Sequence, residues 1–465
     1  MFQKKLLLIL IFIFTFTLIN AQETEQPDLE DDLFAEDDIF SEDDIFSDDD
    51  IFSDEAPPAG QEEKQNIFDD TITDVLDQES ITFSGLVKTS FSYNFTRDFL
   101  QGEDRFEDNK YSAYVGADLM LDLRFRKGIK AFADLYVGYL PTEQTTPRVF
   151  TSPDYTYVDD IFIEKINTVI ILKEFFIDTN VNHHLYFRFG KQVIKWGRGY
   201  LWNPTDFINI ERKSFLSMDA LREGVYGLRL HIPIKTLVNI YSFVNVTDTD
   251  NLTDFGYSNK LEFLIKNVET SLSVWGKKDA YPMFGFDISF NLFDIDFRGE
   301  ASFSYGHNTS LMRTDGSNYK LRNQFVPRFC IGFTKSFDIG NVTDRLTITP
   351  EFYYNHAGYD DDMFEDETTR LAFIEDYYEF GNYGKIYSSL FVNVKKFIIS
   401  NMQLNMNLLG NLTDLSFILS TGITYNPVYN VTFNVDVLSY LGKENREFTY
   451  NGEAIALQLG LSLRF

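Results

Sequence analysis

The sequence predicts an all-β fold, a transmembrane antiparallel β-barrel of about 16–18 strands preceded by a disordered acidic tail. Three observations predict it. The chain of 465 residues opens with a segment typical of exported proteins, it alternates apolar and polar residues after residue 80, and it ends in a regular strand that finishes on Phe465. The alternating segments are longer than the roughly 9–11 residues that a tilted strand needs to cross a bilayer.

Residues 1–21 are expected to be a signal peptide. Lys4 and Lys5 precede an uncharged apolar run over residues 6–19, which is too short to span a bilayer comfortably. Cleavage after Ala21 fits the small-residue rule, and an uncleaved anchor helix is the alternative. Cys330 is the only cysteine, so neither a lipid anchor near the signal nor an internal disulfide is expected.

Residues 22–64 are expected to form a disordered tail in the periplasm. Four tandem hexads of the type Asp-Asp-Ile-Phe-Ser-Glu or Asp lie between Asp31 and Asp54, and residues 22–79 hold 24 acidic side chains against Lys64 alone. A period of six fits neither a helix nor a strand, so the Ile-Phe pairs cannot share one buried face. The tail is either a solvated spacer or a multivalent ligand for a periplasmic partner. Its charge argues against nucleic acid as a partner.

A short amphipathic helix is predicted over residues 65–79, where apolar side chains fall at helical spacing. It could plug the periplasmic mouth of the barrel or simply precede the first strand. The apolar positions are Ile67, Phe68, Ile72, Val75 and Leu76.

The barrel is assigned to residues 80–465, and residues 111–125 show its pattern most clearly. Their odd positions are apolar, while the even positions include Asp118, Asp122 and Arg124. One face therefore suits lipid and the other suits water. Short and mostly long connections alternate along the chain, as periplasmic turns and outer loops do, and the rhythm gives about 18 crossings from residues 81–95 to residues 454–465. A barrel of 16–18 strands is wide enough to hold water.

The last strand carries Leu461, Leu463 and Phe465 on one face. This ending resembles the terminal signal by which bacterial outer-membrane barrels are recognised for assembly. The pattern therefore predicts a location in the outer membrane, with lipid and the barrel assembly machinery as partners.

One segment is distinctive. The chain reads Gly-Lys-Gln-Val-Ile-Lys-Trp-Gly from Gly190 and continues to Asn203-Pro204-Thr205-Asp206. With the strand Phe297-Arg298-Gly299-Glu300-Ala301, it resembles a family of bacterial outer-membrane barrels classed as a domain of unknown function, similar in architecture to alginate-export and phosphate-selective porins. The resemblance implies the fold and the location of the barrel and leaves the cargo open.

The residues themselves allow two interpretations of this segment. Strand parity would point Lys191 and Lys195 towards lipid, so either they lie at the membrane interface or a bulge at Gly190 turns them inward, which we expect. Residues 197–206 cannot continue as a strand; they form either a constriction inside the pore or an ordinary surface loop. If the bulge turns the basic row inward and the loop with Asn203-Pro204 folds over it, the barrel has one positive belt, formed by Arg188, Lys191, Lys195 and Arg198. The pore-lining candidates are Arg188, Lys191, Gln192, Lys195, Trp196, Arg198, Asn203, Asp206, Arg298 and Glu300.

These features predict a porin-like channel for small polar or anionic solutes. An export or lipid-transfer conduit recruited through the acidic tail, and a surface adhesin with a blocked lumen, are the alternatives. The five histidines form no recognisable nucleophile arrangement and no Gly-x-Ser-x-Gly is present, so no enzymatic activity, catalytic residue, metal site or cofactor is expected.

Overall fold

A computed structural model describes residues 79–102, 110–125, 128–139, 148–152, 155–159, 168–208, 223–247, 249, 251–360 and 362–465. Eighteen antiparallel strands form one sheet, and pairing between the first and last strands closes it into a barrel. The first nine strands are β1 (Ser80–Thr96), β2 (Lys110–Phe125), β3 (Ile129–Tyr139), β4 (Thr168–Val181), β5 (Leu185–Gln192), β6 (Val225–Ile234), β7 (Val238–Asn245), β8 (Gly256–Ile265) and β9 (Val268–Gly276). The others are β10 (Met283–Asn291), β11 (Asp296–Gly306), β12 (Arg322–Ile339), β13 (Val342–Asn355), β14 (Ile386–Val394), β15 (Met402–Asn411), β16 (Ser416–Val428), β17 (Val431–Leu441) and β18 (Glu453–Arg464). The antiparallel barrel and the strand number predicted from the sequence are confirmed.

The remaining elements are small and lie between strands. They are the helices α1 (Arg97–Gln101) and α2 (Glu367–Asp376), a 3-10 turn (Leu252–Asp254), and two hairpins that pair Arg148–Ser152 with Tyr155–Asp159 and Leu311–Met312 with Asn318–Tyr319. Among the described residues, no helix is both long enough and apolar enough to cross a membrane.

Each strand presents one face outward and one inward. On β10, Phe284 and Phe286 are exposed on the outside, whereas the neighbouring Asp287 is buried. The same alternation places Asp118 of β2 inside and Val115 outside. The outer face is thus apolar and suited to lipid, while polar groups line the lumen, as the period-two pattern of the sequence predicts.

The two ends of the barrel differ. Most turns at one end, the short-turn end, are a few residues long, and several contain residues at positive φ such as Asn182 and Lys235. Most connections at the other end, the long-loop end, are longer. Three of the long connections, residues 307–321, 356–385 and 442–452, pack together through an aromatic cluster that we call the cap. Its members include Leu311, Met312, Tyr359, Met363, Phe364, Phe373, Tyr378, Tyr383 and Tyr450.

The C-terminal residue takes part in barrel closure. The Phe465 N–H donates to the carbonyl of Gly85 at 3.0 Å, and the Gly85 N–H donates to the carbonyl of Phe465 at 2.9 Å. Leu461 and Leu463 face outward on β18 and lie opposite Thr89 and Val87 of β1. Their role as an assembly signal stays a prediction.

The signal peptide, the acidic hexads and the amphipathic helix predicted over residues 1–79 lie outside the described residues, apart from Glu79.

Candidate functional site

Residues 193–208, which we call the inner segment, follow the end of β5 and have no regular secondary structure. Ile194 and Trp196 are buried and pack with Ile208 against Phe243, an inward-facing residue of β7. Further along, the inner segment contacts inward-facing side chains of strands from β8 to β14. The inner segment therefore lies against the inner wall of the barrel, and the constriction stays a prediction.

Glu300 on β11 binds the inner segment at two points. Its carboxylate accepts hydrogen bonds from the backbone N–H groups of Arg198, Gly199 at 2.5 Å and Thr205 at 3.2 Å. It also accepts from the Thr205 hydroxyl at 2.8 Å. Because Glu300 is only 4% exposed, these donors replace water around its charge.

Glu351 on β13 binds the middle of the inner segment. Its two oxygens accept from three successive backbone N–H groups, those of Tyr200 at 2.6 Å and of Leu201 and Trp202 at 2.9 Å each. Successive N–H groups that converge on one anion form a backbone nest. The sequence analysis missed Glu351. The sequence feature that could have revealed it is a lone carboxylate between Thr349 and Tyr353 on the inward-facing side of the strand. A buried carboxylate requires hydrogen-bond donors, so this position pointed to a distant partner.

Arg198 points its guanidinium at three carboxylates. Its Nε lies 2.9 Å from Asp287, one terminal nitrogen lies 2.5 Å from Glu262, and the other contacts Glu269. Burial lowers the pKa of Arg198, but the charges of these carboxylates outweigh that effect and raise it. Lys260 adds a second cation 3.6 Å from Glu262. The cluster therefore contains three carboxylates and two cations, and it is not a positive belt.

Two glycines explain the Trp-Gly-Arg-Gly sequence. Gly197 has φ +106°, and a Cβ there would lie 2.8 Å from a carboxylate oxygen of Glu300. A Cβ on Gly199 would lie 1.9 Å from the carbonyl oxygen of Trp202. Any side chain at either position would push the backbone away from Glu300, so the segment needs glycine at both.

Trp202 connects the inner segment to the cap. Its ring stacks on Tyr353 with centroids 5.4 Å apart, and its Nε1 donates to the carbonyl of Gly381 at 2.9 Å. The N–H of Gly381 donates to Glu447, which also accepts from the Tyr387 hydroxyl at 2.8 Å. Burial raises the pKa of Glu447 to about 8. Gly381 thus binds both Trp202 of the inner segment and Glu447 of the cap.

Arg188 and Lys191 have separate partners. Arg188 makes a two-point ion pair with Asp178, at 2.7 and 2.9 Å, and lies over the ring of Phe176. Lys191 pairs with Glu223. Neither contributes to one basic row with Arg198, so the positive belt suggested by the sequence is wrong.

The bulge expected at Gly190 is also wrong. Pairing with β4 and β6 continues through Gly190 without a register shift, and Lys191 lies opposite the outward-facing Phe175 and Tyr226. Lys191 keeps the strand parity near the long-loop end of β5, but the residue is only 6% exposed and its ammonium group pairs with Glu223.

The other residues that the sequence analysis proposed as pore-lining make separate local contacts. Gln192 is fully buried and donates to the carbonyl of Gly227 at 3.3 Å. Lys195 is exposed. The carbonyl of Asn203 accepts from the Asp206 N–H in a turn at 3.0 Å. Arg298 donates to the Thr334 hydroxyl and lies 5.8 Å from the ring of Tyr200. Together with Arg198 and Glu300, these groups can narrow and polarise a lumen.

Solved structures with the same architecture are available for comparison. OccK8 (OprE) of Pseudomonas aeruginosa matches with a TM-score of 0.52 and 10% identity over 83% of this chain and 98% of that chain. OpdL of Pseudomonas aeruginosa matches with a TM-score of 0.50 and 9% identity over 83% of this chain and 99% of that chain. Both are outer-membrane porins. This chain has the porin fold. At these identities the likeness concerns the fold alone.

The sequence comparisons add no family. No family model matches the chain, and no curated protein matches it in sequence. Membership of the family with the Gly190 and Asn203 motifs stays a prediction.

Proposed function

We propose that the protein is an outer-membrane channel that passes small polar solutes through a lumen narrowed by the inner segment. The observation that carries this proposal is the attachment of residues 197–205 to Glu300 and Glu351, two carboxylates on the inner wall. Carboxylates buried at the centre of a barrel wall cost free energy unless donors satisfy them. A segment that only covered the surface would not explain their position.

The dimensions and polarity of the barrel support the proposal. Eighteen strands enclose a lumen wide enough for water, and the outward faces are apolar. The porin fold is consistent with a channel and with the outer membrane.

The charges do not support a preference for anions. Arg188, Lys191 and Arg198 each have a carboxylate partner, and the cluster around Arg198 has one more carboxylate than cations. A constriction attracts ions according to its uncompensated charge. We therefore propose neutral or cationic solutes in place of the anionic ones suggested by the sequence.

A surface adhesin is the second candidate, and the cap is the observation that favours it. Its aromatic side chains join three long connections into one packed surface, with Met363, Phe364 and Phe373 fully buried. A rigid outer surface suits the binding of a partner. The export conduit depends on the acidic tail, which stays a prediction.

Planar-bilayer recording of the purified protein separates these functions. A channel gives discrete conductance steps in KCl with protein that shows heat-modifiable migration on gels. Protein denatured by boiling serves as the control. Folded protein that inserts without conducting would overturn the proposal and favour the adhesin.

A further inference from the structure

A second part of the lumen wall contains a row of inward positions with a single charged side chain. One row of inward positions crosses the barrel wall from β12 to β18 and on to β1, each residue lying opposite the next. We call it the amide row: Ser336, Thr347, Asn393, Asn405, Gly422, Asp436, Gln458 and Ser92. Asp436 is the only charged side chain among these eight residues. Its sequence neighbours Val435 and Val437 are exposed on the outside, which fixes Asp436 on the inner face.

The amide row forms a connected hydrogen-bonding surface. Asn393 donates to Asn405 at 2.7 Å and to Gln403 at 3.1 Å. Asn405 in turn donates to the Thr424 hydroxyl at 3.2 Å. These contacts hold the amides in fixed orientations along neighbouring strands. Since strands lie about 4.8 Å apart, the part of the row from β14 to β1 extends over roughly 24 Å.

Several acceptors of this wall lack donors. Within the part of the chain that the structure describes, Asn393 Oδ1, Asn426 Oδ1 and Asp436 Oδ2 are covered and accept no hydrogen bond. Gly422 is the reason that Asp436 can lie across the row, because a Cβ on Gly422 would be 1.9 Å from Asp436 Oδ1. Asp436 itself is partly exposed, so its carboxylate can accept hydrogen bonds from the O–H groups of a solute in the lumen.

Aromatic rings border the amide row towards the inner segment. Phe391 lies two residues from Asn393 on the same face of β14, and its ring centroid is 4.6 Å from that of Tyr200. Tyr200 belongs to the inner segment and is 47% exposed. These groups suit a solute ring that has hydroxyl groups at its edges and C–H groups on its faces. The amides and the carboxylate can bind the hydroxyl groups, and the aromatic rings can pack against the C–H faces.

We propose that the amide row binds uncharged polyhydroxylated solutes, that is sugars, with the Asp436 carboxylate accepting hydrogen bonds from their hydroxyl groups. This inference rests on the proposed channel function and names its solute class. The eight residues of the amide row include no cation and so offer little attraction to anions, whereas the hydroxyl groups of a neutral solute can pair with the side-chain amides, hydroxyls and carboxylate along the row.

The test uses the full mature protein in planar bilayers, with sucrose as the probe. Polyethylene glycol of equal hydrodynamic size is the matched control, because it offers ether acceptors and almost no O–H donors. We expect sucrose to interrupt the KCl current for longer than the polymer does. Asp436→Asn keeps the shape and removes the charge, so we expect it to weaken sucrose binding about tenfold or more, the effect of one hydrogen bond to a charged group.

Asp296→Asn is the matched variant. It makes the same charge change on β11, where Asp296 contacts Asn291, and it should leave the sucrose effect intact. Asn405→Ala provides a second disruption of the row, and heat-modifiable migration verifies folding. Equal interruption by sucrose and the polymer in a conducting channel would overturn the sugar site and leave the proposed channel standing. No current at all would overturn the channel itself, and the sugar site with it.

Discussion

The attachment of the inner segment to Glu300 predicts how the channel should respond to Glu300→Gln. The substitution keeps the size of the side chain but replaces one carboxylate oxygen with an NH₂ group. That group would face the Thr205 N–H, which now donates to Glu300 at 3.2 Å. The new NH₂ group and the Thr205 N–H would then be two donors facing each other. The remaining hydrogen bonds from the N–H groups of Arg198 and Gly199 would no longer be strengthened by a negative charge.

The size of the effect follows from the bonds that are lost. A hydrogen bond to a charged group contributes about 1.5–3 kcal/mol, and such contributions do not add simply. One lost bond and three weakened ones give an estimate of about 3 kcal/mol. That free energy raises the population of the released segment by roughly 100-fold. Glu351 still holds Tyr200 to Trp202, so we expect a partly released segment rather than a lost one.

Single-channel recording in planar bilayers measures this release. Glu300→Gln should show frequent transitions to a state of higher conductance that is rare in the wild type. Asp296→Asn, on the same strand but away from the inner segment, should behave as the wild type. If both variants have the dwell-time distribution of the wild type, Glu300 does not hold a constriction.

Three further predictions concern charge, closure and the cap. Changing Lys195 and Arg198 together to glutamine leaves the carboxylates around Arg198 with fewer cations. The reversal potential in a KCl gradient should therefore shift towards cation preference. An unchanged reversal potential would mean that this cluster does not line the ion path. Deleting Phe465 removes both backbone bonds to Gly85, so less heat-modifiable protein should reach the outer membrane, and normal levels would contradict its role in closure. Burial raises the pKa of Glu447 from 4.5 to about 8, so its contribution to stability is complete below about pH 4.5 and is lost as the pH rises through about 8. Hydrogen exchange in residues 356–385 and 442–452, corrected for intrinsic rates, should therefore accelerate over that range, and Glu447→Gln should flatten the change; a wild type without pH dependence would refute this.

The barrel could be predicted because its signal is local. Alternation in residues 111–125 reports which face meets lipid, and the match to β2 (Lys110–Phe125) follows from that pattern alone. The alternation of short turns and longer loops predicted the strand number, because this signal is also local in the sequence. The first and last predicted crossings differ from β1 and β18 by one residue at each end.

The site was harder because its partners are distant in sequence. Glu300 and Glu351 lie about 100 and 150 residues from the backbone groups that they bind, and no local period reports such a contact. The prediction of a bulge at Gly190 was wrong because it assumed that Lys191 could keep its charge only in the lumen. Glu223, just before β6, provides that compensation instead.

Thiol modification of Tyr200→Cys tests most directly whether the inner segment narrows a conducting lumen. The native thiol of Cys330 is only 2% exposed, and Cys330→Ser removes it as a background. Tyr200 is exposed and contacts Phe391 on the inner face of β14, so a bulky charged methanethiosulfonate reagent attached there should lower the single-channel current in one irreversible step. Complete labelling by mass spectrometry with an unchanged current would contradict the account.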